Sequence, residues 1–549
     1  MPDEYLNASA HSPLVAQLLY NRGVKPEEID PFLSADRRLE GNPFLLPDIS
    51  QAVSRIYKAV LAREKIAVYG DFDVDGVTAT VILVEGLSRL GAKVIPYIPD
   101  RINEGHGLKI SAIEKLQEQG ADLVITVDCG VTDLTQIKQA QKMGIDMIIT
   151  DHHMPLGSLP QAVAVIDPKR KDSVYPCPDL AGAGVAFKLL QALFYNDSRE
   201  KWLARLLDLV VLATVTDLVT LVGENRYLVK EGLRELNNSS HVGIQEIVKL
   251  AGLRLGELDA EDISWVLGPR LNAAGRMKNA STSYQLLTTQ SPEEARLLAL
   301  ELEERNAERQ KLTNEVLSRA REKLAAKLYL PVLIDGDESY SLGVIGLVAG
   351  KLADEFYKPA IIISLGPELC QGSCRSIAEF DVAAALEECH NLLNTFGGHP
   401  LAAGFTVTRQ NLTRLEERIN RLATDQLGHL DLRPEMVIDA ELPLSTFSGE
   451  TFTLIQKLSP FGQGNPQPTF LTRQVEVVEC RNFGNKGEWL RLKLKQGNVT
   501  WQAVDFELQR TRKEIPSYID IVYNLEKSRW NGEEVLGLNL RDFAPAQPR

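Results

Sequence analysis

Between residues 65 and 167, short apolar runs alternate with amphipathic segments. The runs at 66–70, 93–99, 123–128, 147–151 and 162–167 predict strands, and the stretches between them, such as 110–118 and 134–143, predict helices. This alternation predicts a mostly parallel sheet with helices on both faces. Ligands of such sheets sit beyond the carboxyl ends of the strands, which is where Asp71, Asp128 and Asp151 fall. Residues 1–60 read as short helices, including 14–22, which stops at Gly23, and an amphipathic stretch at 49–63.

Residues 180–290 read as mainly helical, with Ala181-Gly182-Ala183-Gly184 opening one helix. A long charged helix follows from about 291 to 328. Ser291 is its expected N-cap, Pro292 suits the first helical position, and Glu294 completes a capping box. Its length and charge predict a connector between two lobes rather than core. A second α/β unit is expected after Pro331, with strands at 332–335, 360–364 and 404–408. Short alternating strands at 474–479, 489–495, 499–506 and 519–525 then predict a small β-barrel or sandwich. The expected division is 1–60 (N-terminal helical segment), 61–290 (parallel-sheet domain), 291–330 (connecting helix), 331–428 (smaller α/β domain) and 429–549 (β-barrel domain).

A chain of 549 residues needs several cores, and 44% hydrophobic with 24% charged residues places it among ordinary soluble proteins. No apolar run reaches membrane-spanning length, and the first residues lack the basic and apolar regions of a signal peptide. Six scattered cysteines do not make a disulfide framework, so a cytoplasmic, reducing location is expected, with no membrane partner. The net charge of −14 excludes a uniformly basic nucleic-acid coat. Local clusters of Lys and Arg could still bind nucleic acid.

The densest chemistry is Asp71-x-Asp73-x-Asp75-Gly76, three carboxylates on alternate residues at a strand end. Their mutual repulsion is offset by bound divalent cations. The spacing also matches the start of a calcium loop, but Ile82 stands where the twelfth-position glutamate would be, and a strand precedes it. Asp128 in Val127-Asp128-Cys129-Gly130 and the run Asp151-His152-His153 lie at later strand ends, and Asp217 sits in an apolar helix where an unpaired charge is costly. Of two adjacent histidines, one can ligate a metal while the other tunes the site or meets phosphate. Together these residues predict a two-metal hydrolase of phosphate esters.

Two glycine-rich segments add phosphate chemistry. In Gly268-Pro269-Arg270-Leu271-Asn272-Ala273-Ala274-Gly275-Arg276, two arginines flank small residues that would let a ligand's backbone approach closely. Gly397-Gly398-His399, with Arg375 upstream, could present backbone N–H groups and an imidazole to phosphate. Tyr357, Phe380, Phe396 and Trp501 are possible base-stacking groups, with core packing the competing role. A zinc site at Cys370, Cys374, Cys389 and His390 is disfavoured, because knuckle glycines are absent.

The ordered motifs G-D-F-D-V-D-G, V-D-C-G, T-D-H-H, T-D, G-P-R-L-N-A-A-G-R and G-G-H-P-L-A-A-G resemble the DHH phosphoesterase superfamily. Within it, the chain resembles the RecJ family of bacterial exonucleases. The likeness extends to Leu18-Leu19-Tyr20-Asn21-Arg22-Gly23 and to Pro460-Phe461-Gly462-Gln463-Gly464-Asn465-Pro466. It implies a DHH domain joined by a long helix to a DHH-associated domain, followed by an OB-like barrel. The implied activity is hydrolysis of single-stranded DNA from its 5′ end to mononucleotides with two manganese or magnesium ions, in repair and recombination. The implied metal ligands are Asp71, Asp73, Asp128, His152 and Asp217, with Asp128 bridging. Asp75 and His153 would support catalysis, and Arg270, Asn272, Arg276, Arg375, Gly398 and His399 would hold the substrate. A monomer is expected, and a single-strand-binding protein is an expected partner by resemblance alone.

The chain departs from the family pattern twice. Tyr340-Ser341 stands where relatives commonly have Trp-His, and His106 stands where they usually have Tyr. Two other readings compete: a phosphodiesterase of short oligoribonucleotides or cyclic dinucleotides from the same superfamily, and a non-catalytic replication scaffold. The barrel at 429–549 weighs against the first, and the complete ligand set against the second.

Overall fold

The computed structural model describes residues 5–6, 13–101, 103–277, 279–484, 489–505, 515–530 and 533–546. Met1 to Glu4 and Phe506, which entered the expectations above, lie outside the described residues. The chain divides into two units, one of residues 42–217 with 232–435, the other of 1–41 with 218–231 and 436–549.

The first unit contains a parallel sheet of β1 (Lys65–Tyr69), β2 (Lys93–Tyr97), β3 (Leu123–Val127), β4 (Asp146–Thr150) and β5 (Ala164–Ile166). Their order is β2-β1-β3-β4-β5. Every residue of β3 is buried; a strand covered on both faces reads as an unbroken apolar run. Helix α1 (Val74–Leu90) packs on this sheet and on α2 (Gly182–Leu193) and α3 (Leu207–Thr216). The strand order reverses between β1 and β3, so the ligand crevice of this topology opens beyond those two carboxyl ends.

Helices α4 (Gly268–Met277) and α5 (Pro292–Leu324) come next. The Ser291 hydroxyl accepts the Glu294 N–H at 3.3 Å, so the N-cap forms. The reciprocal half of the expected capping box does not, because the Glu294 carboxylate takes the Thr289 hydroxyl instead. Helix α5 is also more than a connector. Ala295, Ala299, Leu302, Val316, Ala320 and Leu324 are buried at helical spacing and seat it against α4 and α6 (Leu342–Phe356).

The second sheet is mixed. It comprises β6 (Leu333–Asp337), β7 (Ala360–Ser364), β8 (Leu369–Arg375), β9 (Leu393–His399) and β10 (Ala402–Thr408), in the order β6-β7-β8-β10-β9. Only β6 and β7 pair in parallel. One face packs on α5 and α6, and the other on α7 (Leu412–Leu427). Cys370, Cys374 and Cys389 are part of that second core, and no metal-ligating group forms there among the described residues.

The second unit is built on β11 (Ala440–Glu441), β12 (Phe470–Phe483), β13 (Trp489–Gln496), β14 (Val499–Asp505), β15 (Tyr518–Trp530) and β16 (Glu533–Pro545). The order β12-β13-β14-β16-β15, with β15 pairing back on β12, closes a five-stranded OB-like barrel. The amino-terminal helices do not stand apart as a 1–60 segment. Val15, Leu18 and Leu19 share one core with Phe470 and Tyr523. Buried Arg226 donates to the carbonyls of Phe32 (2.6 Å) and Ser459 (2.7 Å) and stacks on the Phe32 ring. No helix of the described residues is long and apolar enough to cross a membrane.

Candidate metal centre

The loop after β1 folds around Asp73, whose Oδ1 accepts the Gly76 N–H at 3.1 Å and caps α1. Gly76 must be glycine, because a Cβ there would lie 2.5 Å from the Asp71 backbone. Asp128 follows β3 in a left-handed conformation (φ 59°), and its N–H donates to the Thr150 carbonyl at 3.0 Å. Gly182 faces it closely enough that a Cβ would fall 2.7 Å from its own. The first turn of α2 binds Asp75 by both oxygens, through the N–H groups of Gly182 (2.6 Å) and Ala183 (2.7 Å).

These elements bring the predicted ligands together. Asp71, Asp73 and Asp128 form one group, Asp128, His152 and His153 a second, and Asp75, His152 and Asp217 a third; within each, one ligand atom per residue lies within 4.8 Å of the others. Asp128 and His152 each belong to two of these groups, so the three groups form one continuous cluster. His152 Nε2 is 3.0 Å from Asp128 Oδ1 and 3.6 Å from both Asp75 and Asp217.

The electrostatics fit cations at these positions. Asp71 Oδ1, Asp128 Oδ1 and His152 Nε2 are buried without hydrogen-bond partners. Burial, then the neighbouring carboxylates, hold Asp75 and Asp128 far above the usual carboxylate range. Burial and the charge of Asp73 push Asp217 up to about 7. Burial lowers His152 to about 3, which keeps it neutral, the form that ligates metal. Oxygen donors with one imidazole suit manganese or magnesium.

Asp151, to which the motifs assign no role, orients its neighbours. It accepts the backbone N–H groups of Val131, His152 and His153, and His153 Nδ1 at 2.8 Å. Burial opposes the His153 cation, but the bond and charge of Asp151 outweigh it and raise His153 to about 9. His153 therefore faces the cluster as a held imidazolium, while His152 faces it neutral.

The expected substrate residues divide. Arg276 and Arg375 make no ion pair among the described residues. Burial first, and for Arg276 the nearby cations Arg101 and Arg309, lowers both, Arg276 to about 9. Arg101 and Arg309 were not expected; burial lowers both of these as well. Arg101 follows β2, which neighbours β1, so the strand-end rule applied to β2 would have found it.

Arg270 departs from expectation. Its Nε donates to Glu303 at 2.6 Å and its Nη1 to the Val266 carbonyl at 2.9 Å, so the fork is spent joining α4 to α5. Asn272 Oδ1 accepts the Val74 N–H at 3.2 Å, steadying the aspartate loop rather than presenting that oxygen to a ligand. The small residues of this motif serve the same packing, since a Cβ at Gly275 would lie 2.5 Å from the Phe72 carbonyl oxygen. Gly398 (φ 145°) is needed where β9 meets β10, and a Cβ there would lie 2.3 Å from the Ala402 carbonyl oxygen. His399 beside it is exposed. Of the possible stacking groups, Phe380 is core, Trp501 packs against the barrel core and Tyr357 bonds Glu379, whereas Phe396 on edge strand β9 is exposed.

Three stretches of the chain match known families: residues 65–214 the DHH family, N-terminal domain, residues 324–425 the DHHA1 domain, and residues 438–542 the RecJ OB domain. The single-stranded-DNA-specific exonuclease RecJ of Bacillus subtilis is 35% identical over 542 residues, covering 98% of this chain and 68% of that protein. The Haemophilus influenzae enzyme of the same name is 31% identical, covering 97% of this chain and 96% of that protein. The crystal structure of RecJ in complex with Mn2+ from Thermus thermophilus superposes with a TM-score of 0.84 at 29% identity, covering 100% of this chain and 78% of that one. A structure of the same enzyme with Mg2+ superposes with a TM-score of 0.76.

Proposed function

The chain belongs to the RecJ family of single-stranded-DNA-specific exonucleases, and from that premise we propose that it hydrolyses single-stranded DNA from its 5′ end to mononucleotides. The observation that carries this reading is the cluster of three overlapping carboxylate–imidazole groups joined through Asp128 and His152, with Arg276 in the same unit desolvated by burial and in no ion pair among the described residues. Asp71, Asp73, Asp128, His152 and Asp217 would hold two manganese or magnesium ions. Such ions lower the pKa of a water, polarise the scissile phosphate and stabilise the leaving oxygen.

The chain's own residues supply the rest. Asp75, fixed by two N–H groups of α2, holds that helix and Gly182 against Asp128. His153, protonated and oriented by Asp151, can donate a hydrogen bond to a phosphate oxygen. Arg101, Arg276 and Arg375 make no ion pair with a carboxylate among the described residues, and the backbone of a nucleic acid would supply anions for them. His399 and Phe396 on β9 offer a further phosphate contact and a stacking face. On the barrel, a groove of about 330 Å³ lined by Arg481, Arg491, Lys493 and Gln502, with Glu479 paired to Arg481 in the same lining, fits tracking of a single strand. A cytoplasmic monomer that works beside a single-strand-binding protein completes the proposal.

A time course on single-stranded DNA labelled at either end tests both substrate and polarity. The expected result is manganese-dependent release of labelled mononucleotide from the 5′ label at the earliest times. Early release from the 3′ label alone would reverse the polarity, and preference for di- and trinucleotides over long strands would favour the short-oligonucleotide reading. Arg276→Met should raise KM for DNA by roughly 10–100-fold, the worth of a charge-assisted hydrogen bond, with kcat changed far less. An unchanged KM would remove Arg276 from the substrate site.

A further inference from the structure

We infer that His106 is a positioning residue that holds Asp71 with one oxygen turned toward the metal centre. This rests on the two-metal reading above. His106 Nδ1 lies 2.9 Å from Asp71 Oδ2, and it makes the one hydrogen bond to that carboxylate among the described residues. The other oxygen, Oδ1, is buried and unpartnered, and Asp71 groups with Asp73 and Asp128. A carboxylate anchored by one oxygen and open at the other is arranged as a single-oxygen ligand, and an anchoring partner fixes the direction of its open oxygen.

The ring is itself held in place. His106 packs edge-on against Phe72 (6.5 Å) and His153 (5.5 Å). Its loop is pinned through the two residues that follow His106. The Leu108 N–H donates to Asp133 at 2.8 Å, and the Tyr69 hydroxyl donates to the Gly107 carbonyl at 3.1 Å. Gly107 (φ 79°) adopts the left-handed turn that brings the ring over Asp71, and a Cβ there would press on Asp133 at 3.0 Å. With Asp133 and Tyr69 fixing the loop, the imidazole is set before any cation arrives, so Asp71 need not be ordered at the moment of binding.

The test is calorimetric titration of manganese into the metal-free full-length protein and two variants. His106→Phe keeps the packed ring and removes the donor. His106→Asn places an amide nitrogen where Nδ1 stands and keeps it. Loss of an orienting partner weakens metal affinity by about 10-fold or more, so His106→Phe should lose about that much at one of two binding events. His106→Asn should recover most of it, and KM for DNA at saturating manganese should stay at the wild-type value in both. Should the phenylalanine variant not fold, His106→Ala at this half-exposed position makes the same comparison. Wild-type affinity in the donor-less variant, or no recovery with asparagine, overturns the inference while leaving the two-metal reading intact. A wild-type protein that binds no manganese overturns both.

Discussion

Asp128→Asn should lower exonuclease turnover by at least about 10³-fold, the scale on which removing a central charge-stabilising group acts, and should leave the protein folded. Asparagine is the informative replacement. Asp128 holds φ at 59°, a conformation that Asn tolerates and that costs alanine roughly 1–2 kcal/mol, and Gly182 leaves no slack around its Cβ. The amide keeps the shape and removes a charge common to two of the candidate ligand groups. It also relieves repulsion. In the metal-free protein Asp128 is crowded by Asp75, Asp73, Asp71 and Asp217, so the variant should melt above metal-free wild type at pH 8 and gain less from manganese. Substantial turnover in the folded variant would end the assignment of Asp128 as the shared ligand, and a lower metal-free melting temperature would show that the cluster is not strained by its own charge.

What the sequence made legible follows the physics of burial. Strands β1, β3 and β4 stand out because both faces are covered, and the aspartates at their ends are conspicuous for lying just beyond apolar runs. The N-cap at Ser291 is legible because capping is local. Strand β8, Leu369–Arg375, escaped because Gly372 and Ser373 lower its strand propensity. The glycine is there because the Phe405 ring occupies the space of a side chain, a contact across 33 positions of chain. Strand β9 is an exposed edge, so it has no apolar period to read. The packing contacts of Arg270 and Asn272 were hidden for a related reason. Their partners Glu303 and Val74 lie 33 and 198 positions away, and a motif of arginine among small residues looks the same whether it approaches a ligand or its own chain. His106 and Arg101 lie past the end of β2, a strand only half-buried and therefore weakly marked. Once the order β2-β1-β3 is known, that strand end is a wall of the crevice.

Removing the metals should abolish turnover and change how stability depends on pH. Asp217 sits at about 7 in the folded protein, and Asp75 and Asp128 lie well above the carboxylate range. All three are raised relative to the unfolded chain, so between about pH 4 and 7 the folded state binds more protons than the unfolded state. Their stabilising contribution is complete below the unfolded carboxylate pKa and is lost as pH rises through the folded values. Asp151 is held below its ordinary value by His153 against the effect of burial, so its contribution changes only at more acid pH. His152, lowered to about 3, opposes the trend up to its unfolded value of about 6.5, and His153, raised to about 9, adds to the trend above it, so the three raised carboxylates still set the sign. A shift the size of that at Asp217 is worth at most about 4 kcal/mol. The metal-free protein should therefore lose on the order of 5–10 °C in melting temperature between pH 5 and pH 8. Manganese at about 100 times its Kd restores about 2.7 kcal/mol per site and should flatten the slope, because the carboxylates then meet cations instead of one another. A metal-free melting temperature that rises with pH over this range would refute the crowded cluster, and a manganese-independent slope would mean that the acids of the crevice titrate without regard to the ions they are built to hold.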